Sequence, residues 1–118
     1  MDKEQLQQRT KDFAHRCVKL SMALGQDVFG GHIKKQLIRC STSVAANYRA
    51  ACIAQSKASF ISKPGIVIEE SDESSFWMEF IIDEKMISQS KVTALLEESK
   101  ELTAIFIASR KTARQNSK

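Results

Sequence analysis

The chain is poor in the residues that break regular structure. Its 118 residues include one proline and four glycines. A sandwich or barrel needs turn signals about every 8–12 residues, so an all-β fold is excluded. No run of about 18 apolar residues is present, so no membrane-spanning helix is expected. The opening Met1-Asp2-Lys3-Glu4-Gln5 carries acids and no apolar stretch, which argues against a secretory signal. Cysteine is scarce: Cys17, Cys40 and Cys52 are an odd number without C-x-x-C spacing. Reduced thiols acting as small core residues in a cytoplasmic protein are therefore expected. Hydrophobic residues make up 42% and charged residues 27%, which suits one globular domain rather than a disordered chain.

The signatures of catalysis are also missing. Di-iron bundles use Glu-x-x-His on two helices, whereas only Asp12-x-x-His15 approaches that spacing and His32 follows Phe29 by three. The acids Glu69, Glu70, Asp72 and Glu73 lack the spacing and glycine of a calcium loop. There is no G-x-S-x-G, no glycine-rich phosphate loop, and no cysteine paired with a histidine by any recognisable motif. The expectation is a protein without metal, cofactor, small-molecule substrate or enzymatic activity.

Apolar periodicity dominates what remains. Leu6, Phe13, Cys17, Leu20 and Leu24 form one stripe, and Ile33, Leu37, Cys40, Val44, Tyr48 and Ala51 a second. Phe60, Val67, Met78 and Ile81 share a side of a third segment. Val92, Leu95, Leu96, Ser99, Leu102, Phe106, Ser109 and Ala113 make a nearly strict heptad seam. The pattern predicts helices over about 2–24, 32–53, 56–84 and 90–113, with the Gly30-Gly31 pair in a loop and a basic, frayed tail at 114–118. Short connections favour antiparallel neighbours, so residues 1–113 are read as an all-α, up-down-up-down four-helix bundle. Pro64-Gly65 interrupts the third segment, but the seven-residue phase from Phe60 to Val67 survives, which favours one kinked helix over two.

Two surfaces exceed the needs of a lone bundle. Phe76-Trp77-Met78-Glu79-Phe80-Ile81-Ile82 has six apolar side chains in seven positions, which encircle a helix. A second buried surface at Phe76, Trp77 and Phe80, between copies of the chain, is the economical explanation; a thick local core with one exposed Phe is the alternative. The other surface is charged. Residues 1–63 hold eleven Lys/Arg against four Asp/Glu, residues 64–109 three against ten, and residues 110–118 four against none. In the second helix Lys35, Arg39 and Arg49 fall within about 40° of one line, interleaved with Thr42 and Ala46. Lys57 and Lys63 extend this candidate strip. An arginine fork suits phosphate and carboxylate alike, so the strip can contact RNA or form ion pairs with the acidic third helix, within or between chains.

Several strings carry a family likeness: Phe13-Ala14-His15-Arg16, the stretch Gln36 to Ala51 containing Thr42-Ser43-Val44-Ala45-Ala46-Asn47-Tyr48-Arg49, and Ser56-Lys57-Ala58-Ser59-Phe60-Ile61-Ser62-Lys63. With Glu70, Asp72, Glu73 and Trp77 they resemble the bacterial four-helix bundle proteins encoded in 23S ribosomal RNA intervening sequences. The resemblance implies a homopentameric, barrel-like ring. It also implies kinship with the accessory proteins of diversity-generating retroelements, which bind nucleic acid and a reverse transcriptase and do not catalyse. Ala50 stands where that family usually has glutamate, and Pro64 where it has an aliphatic residue. The functional expectation is a self-associating protein with RNA or a reverse-transcriptase-like protein as partner; the rival is a purely structural homo-oligomer.

Overall fold

Four helices account for nearly all of the chain: α1 (Lys3–Met22), α2 (Val28–Cys52), α3 (Lys57–Asp83) and α4 (Gln89–Asn116). The computed structural model describes residues 1–53 and 57–116, and side chains at 1–53 and 65–116. Among the described residues there is no strand. Each helix packs on its neighbours in sequence and α1 also meets α4, while across the α2–α4 diagonal the rings of Tyr48 and Phe106 meet with centroids 5.5 Å apart. Arg39 reaches Glu70 while Phe29 meets Phe80, and Ser71 meets Thr103 while Ser75 meets Ser99. Rising numbers on one helix thus meet falling numbers on the next, which is antiparallel up-down-up-down packing in a body of 49 × 21 × 20 Å.

Local chemistry sets the helix ends. The Asp2 carboxylate accepts from the Gln5 N–H at 2.8 Å, and the Asp2 N–H donates to the Gln5 side chain at 3.0 Å, a full capping box. The second helix begins earlier than its apolar stripe suggests. Asp27 accepts from the Gly30 N–H at 2.6 Å, and the Gly31 N–H already donates to the Asp27 carbonyl at 2.9 Å. This corrects the expected loop: Gly30 and Gly31 belong to the first turns of α2. Glycine is needed at 30 for space, since a Cβ there would lie 2.3 Å from the Gly25 carbonyl oxygen.

The third helix is continuous from Lys57 to Asp83, so one helix passes through positions 64 and 65. It stops through a Schellman-type turn. Lys85 takes the left-handed conformation (φ 55°), and the N–H groups of Lys85 and Met86 donate to the carbonyls of Ile82 and Ile81 at 3.0 Å. The last helix runs to Asn116, correcting the expected frayed tail from 114. Arg110–Gln115 contains good helix formers with no glycine or proline, and its basic residues suit the negative end of the helix dipole.

The core follows the apolar stripes. Phe13, Cys17, Ile33, Leu37, Cys40, Val44, Val67, Met78, Ile81, Val92 and Leu102 are fully enclosed. Phe60 lies outside the described side chains, Ser109 is exposed, and Ala113 is half-buried. Between α3 and α4 the stripe is hydroxylic. Ser75 and Ser99 share a hydrogen bond of 2.7 Å, Ser99 donates to the Ser71 carbonyl at 2.8 Å, and Ser71 meets Thr103 at 2.8 Å. No buried side-chain nitrogen or oxygen among the described residues lacks a partner. Small, satisfied side chains let the two backbones approach closely and fix their register.

Candidate subunit and nucleic-acid interfaces

The apolar heptapeptide of α3 is divided by the fold. Met78 and Ile81 enter the core, Trp77, Phe80 and Ile82 are half-buried, and Phe76 is left 50% exposed. Phe76 stacks edge-on to Trp77 with centroids 5.0 Å apart. Phe80 meets Phe29 at 5.6 Å, and His32 meets Trp77 at 5.6 Å. The Trp77 indole N–H donates to Glu73 at 3.1 Å. The three aromatic residues named from the sequence therefore form one cluster with the start of α2, and Phe76 is its outward tip. Phe29 and His32 join only through tertiary packing, which the sequence pattern does not reveal.

The basic line of α2 separates into two environments. Arg39 leans toward α3, where its guanidinium pairs with Glu70 at 3.1 Å and with Glu73. The hydrogen bond that Arg39 donates to Glu73, reinforced by the charges of Glu73 and Glu70, raises the Arg39 pKa above its already high ordinary value. Arg49 lies on the α1 side, exposed, and Lys35 is exposed between the two. Neither has an ion-pair partner among the described residues. Lys57 and Lys63 lie outside the described side chains.

Arg49 belongs to a groove of about 790 Å³ between α1 and α2. Its floor is made of small residues, Ala14, Thr42, Ala45 and Ala46, with Val18 toward one end. Lys11, His15 and Arg49 line it together with one acid, Glu4. The Thr42 hydroxyl is turned back onto the Ile38 carbonyl at 2.6 Å, so the floor presents its methyl rather than a free donor.

A second, smaller groove of about 260 Å³ lies between α1 and α4. Three cations surround it, Arg16, Lys19 and Lys91, around Leu20, Ala94 and Leu95. No ion pair engages any of the three among the described residues. The sequence hinted at this only through the excess positive charge of its first half, because Lys91 arrives from the other end of the chain. Further along the same seam, Arg9 grips Glu98 through two hydrogen bonds of 2.8 and 2.6 Å and reaches Glu101 at 3.0 Å.

The thiols have a different chemistry. Burial pushes the Cys17 thiol up to about 12 and the Cys40 thiol up to about 11, so both are protonated and poor nucleophiles at neutral pH. Burial, helped by a hydrogen bond with Cys52, also raises the Tyr48 phenol. Among the described residues no group of three His, Cys, Asp or Glu is placed to hold a metal. No described helix is long and apolar enough to cross a membrane.

Residues 2–108 match the family model described as 23S rRNA-intervening sequence protein. A crystal structure of a protein of unknown function from the S23 ribosomal protein family of Bacteroides thetaiotaomicron VPI-5482 is similar at 31% identity. That similarity covers 89% of this chain and 97% of the other, with a TM-score of 0.82. No curated protein matches the chain.

Proposed function

The chain belongs to the 23S rRNA-intervening sequence protein family, and we propose that it is a non-enzymatic protein that assembles with itself and binds RNA through its phosphates. The observation that carries the RNA reading is the convergence of Arg16, Lys19 and Lys91 on one groove without carboxylate partners among the described residues. Unneutralised cations from two helices, with Lys35 exposed on α2, suit a polyanion better than an internal salt-bridge network. Support for self-assembly comes from the aromatic cluster in which Phe76 and Phe29 are both exposed and are joined through Phe80, a contiguous apolar patch rather than one exposed ring. Five copies is the number the family resemblance implies. Arg39 favours the structural alternative for its own charge, because Glu70 and Glu73 already hold it within the fold.

Binding of a structured RNA, titrated over a series of salt concentrations, tests the proposal. Affinity should fall steeply with salt. Replacing Arg16 or Lys91 by alanine should lower the log–log slope by roughly 0.7–0.9 for each phosphate that is no longer neutralised. Absence of salt-dependent binding in the wild-type protein would sink the RNA reading and leave a purely structural homo-oligomer.

A further inference from the structure

Along α3, Glu69, Asp72, Phe76, Glu79 and Asp83 are all exposed. Their spacing of three, four, three and four places them on one outward line of the helix. Glu79 has a long ion pair with Lys100 at 3.4 Å, while Glu69, Asp72 and Asp83 have none among the described residues. The line is an aromatic knob with carboxylates one and two turns to either side. The groove between α1 and α2 has the opposite character: small residues on its floor, and Lys11, His15 and Arg49 along it.

The lengths agree as well. From Glu69 to Asp83 is fourteen residues, about 21 Å at 1.5 Å per residue, and the α1 wall of the groove from Glu4 to Val18 has the same length. We infer that the occupant of the α1–α2 groove is a second copy of this chain, which lays the outer face of its α3 there with Phe76 over Ala14 and Ala46 and its carboxylates beside Lys11 and Arg49. The inference rests on the self-assembly reading and says which surfaces achieve it.

Knob and groove are different patches, so the contact is heterologous, and each copy offers one knob and one groove. Such a contact generates a ring when its rotation closes. The acidic and basic parts of the chain thereby become complementary between neighbours. Burying an aromatic anchor amid desolvated small residues, with charges at the rim, is the anatomy of a specific interface.

Two variants and their mixture test this. Phe76→Lys removes the knob but keeps the groove, and Ala46→Trp fills the groove but keeps the knob; circular dichroism checks that each folds. By light scattering, wild type should be a multiple of 13.3 kDa and each variant alone a single chain. Mixed, they should form a complex of one copy each, because one good knob still meets one good groove. A wild-type monomer at micromolar concentration overturns both self-assembly and this inference. A wild-type oligomer with either variant still fully assembled, or two monomeric variants that do not pair, overturns the inference alone. If Ala46→Trp assembles normally but loses RNA binding, the groove belongs to RNA instead and the inference is overturned.

Discussion

Replacing Arg9 by alanine should open the seam between α1 and α4, the thinnest helix interface in the bundle. The Arg9 guanidinium holds Glu98 through Nε at 2.8 Å and Nη2 at 2.6 Å, with Glu101 at 3.0 Å. The side chains of Arg9 and Glu98 are only 22% and 17% exposed. Exposed ion pairs contribute about 0.2–1 kcal/mol, and breaking a fully buried one costs about 3–5 kcal/mol. A two-pronged pair at intermediate burial should therefore cost about 2 kcal/mol when one partner is truncated. At about 2.1 cal/mol/K per residue, the unfolding entropy is roughly 0.25 kcal/mol/K, which converts that destabilisation to a melting shift of ~8 °C. Urea unfolding followed by circular dichroism reads the change, with chain concentration fixed because dissociation of an assembly would couple to unfolding. A double-mutant cycle with Glu98→Gln should recover at least half of the effect as coupling energy. High salt should weaken the pair only partly, since a shielded contact is screened less than an exposed one. A destabilisation below about 0.5 kcal/mol, or independent effects of the two substitutions, would refute the claim that this pair fastens the seam.

Two further outcomes follow from buried groups. Folded Cys17 and Cys40 keep protons that the unfolded chain releases above pH 9, so their contribution to stability is complete below pH 9 and disappears as the pH rises through 11 and 12. At pH 10.5 Cys17 alone should account for about 2 kcal/mol of that decline, and urea midpoints from pH 8 to 10.5 should fall less in a Cys17→Ala, Cys40→Ala double variant. Equal falls in both proteins would contradict the assignment. Gly30→Ala places a methyl 2.3 Å from the Gly25 carbonyl oxygen and should cost about 1–3 kcal/mol, whereas Gly31→Ala, with nothing within 4 Å of its Cβ, should be neutral or stabilising by thermal melting. Equal melting temperatures for the two variants would show that the α1–α2 loop yields freely.

The sequence made the helices legible because their stripes are long and their breakers few. Its errors came where side-chain chemistry overrode punctuation. Gly30-Gly31 looked like a loop, yet the Asp27 cap draws both residues into α2. The basic end of the chain was expected to fray from 114, yet a run of good helix formers continues α4 to Asn116. The stop of α3 carried no glycine signal because Lys85 occupies the left-handed position. The serines at 71, 74 and 75 could be read as small packing residues, but their partners Ser99, Thr103 and Cys40 are defined only by the α3–α4 and α2–α3 registers. Site residues were legible to the same degree. Lys35, Arg39 and Arg49 do share the outer side of α2, but 100° stepping cannot tell which neighbour each leans toward. Arg39 finds the acids of α3, and Arg49 faces α1.

On the proposed assembly, those two arginines put one charge asymmetry to two ends. Were every cation of the first half matched within the chain, Arg39 would be the pattern for all of them. Instead, the described ion pairs engage Arg9, Arg39 and Lys100, and they leave Lys11 and Arg49 on one groove and Arg16, Lys19 and Lys91 on another. The two grooves differ in what they can accept. The first is long and floored by methyl groups, which suits the aromatic-bearing helix face proposed for it. The second is small and lined by three cations, which suits a phosphate chain passing over it and not a bulky side chain. In a ring closed through the α1–α2 groove, the acidic face of α3 is covered by the neighbouring copy, so its carboxylates no longer repel a polyanion. The cations between α1 and α4 remain outside that interface. Assembly would then strengthen RNA binding without changing how any one copy touches the RNA. Phe76→Lys, expected to be monomeric, also removes none of those three cations, so a weaker hold on RNA by that variant would report the failure of assembly itself.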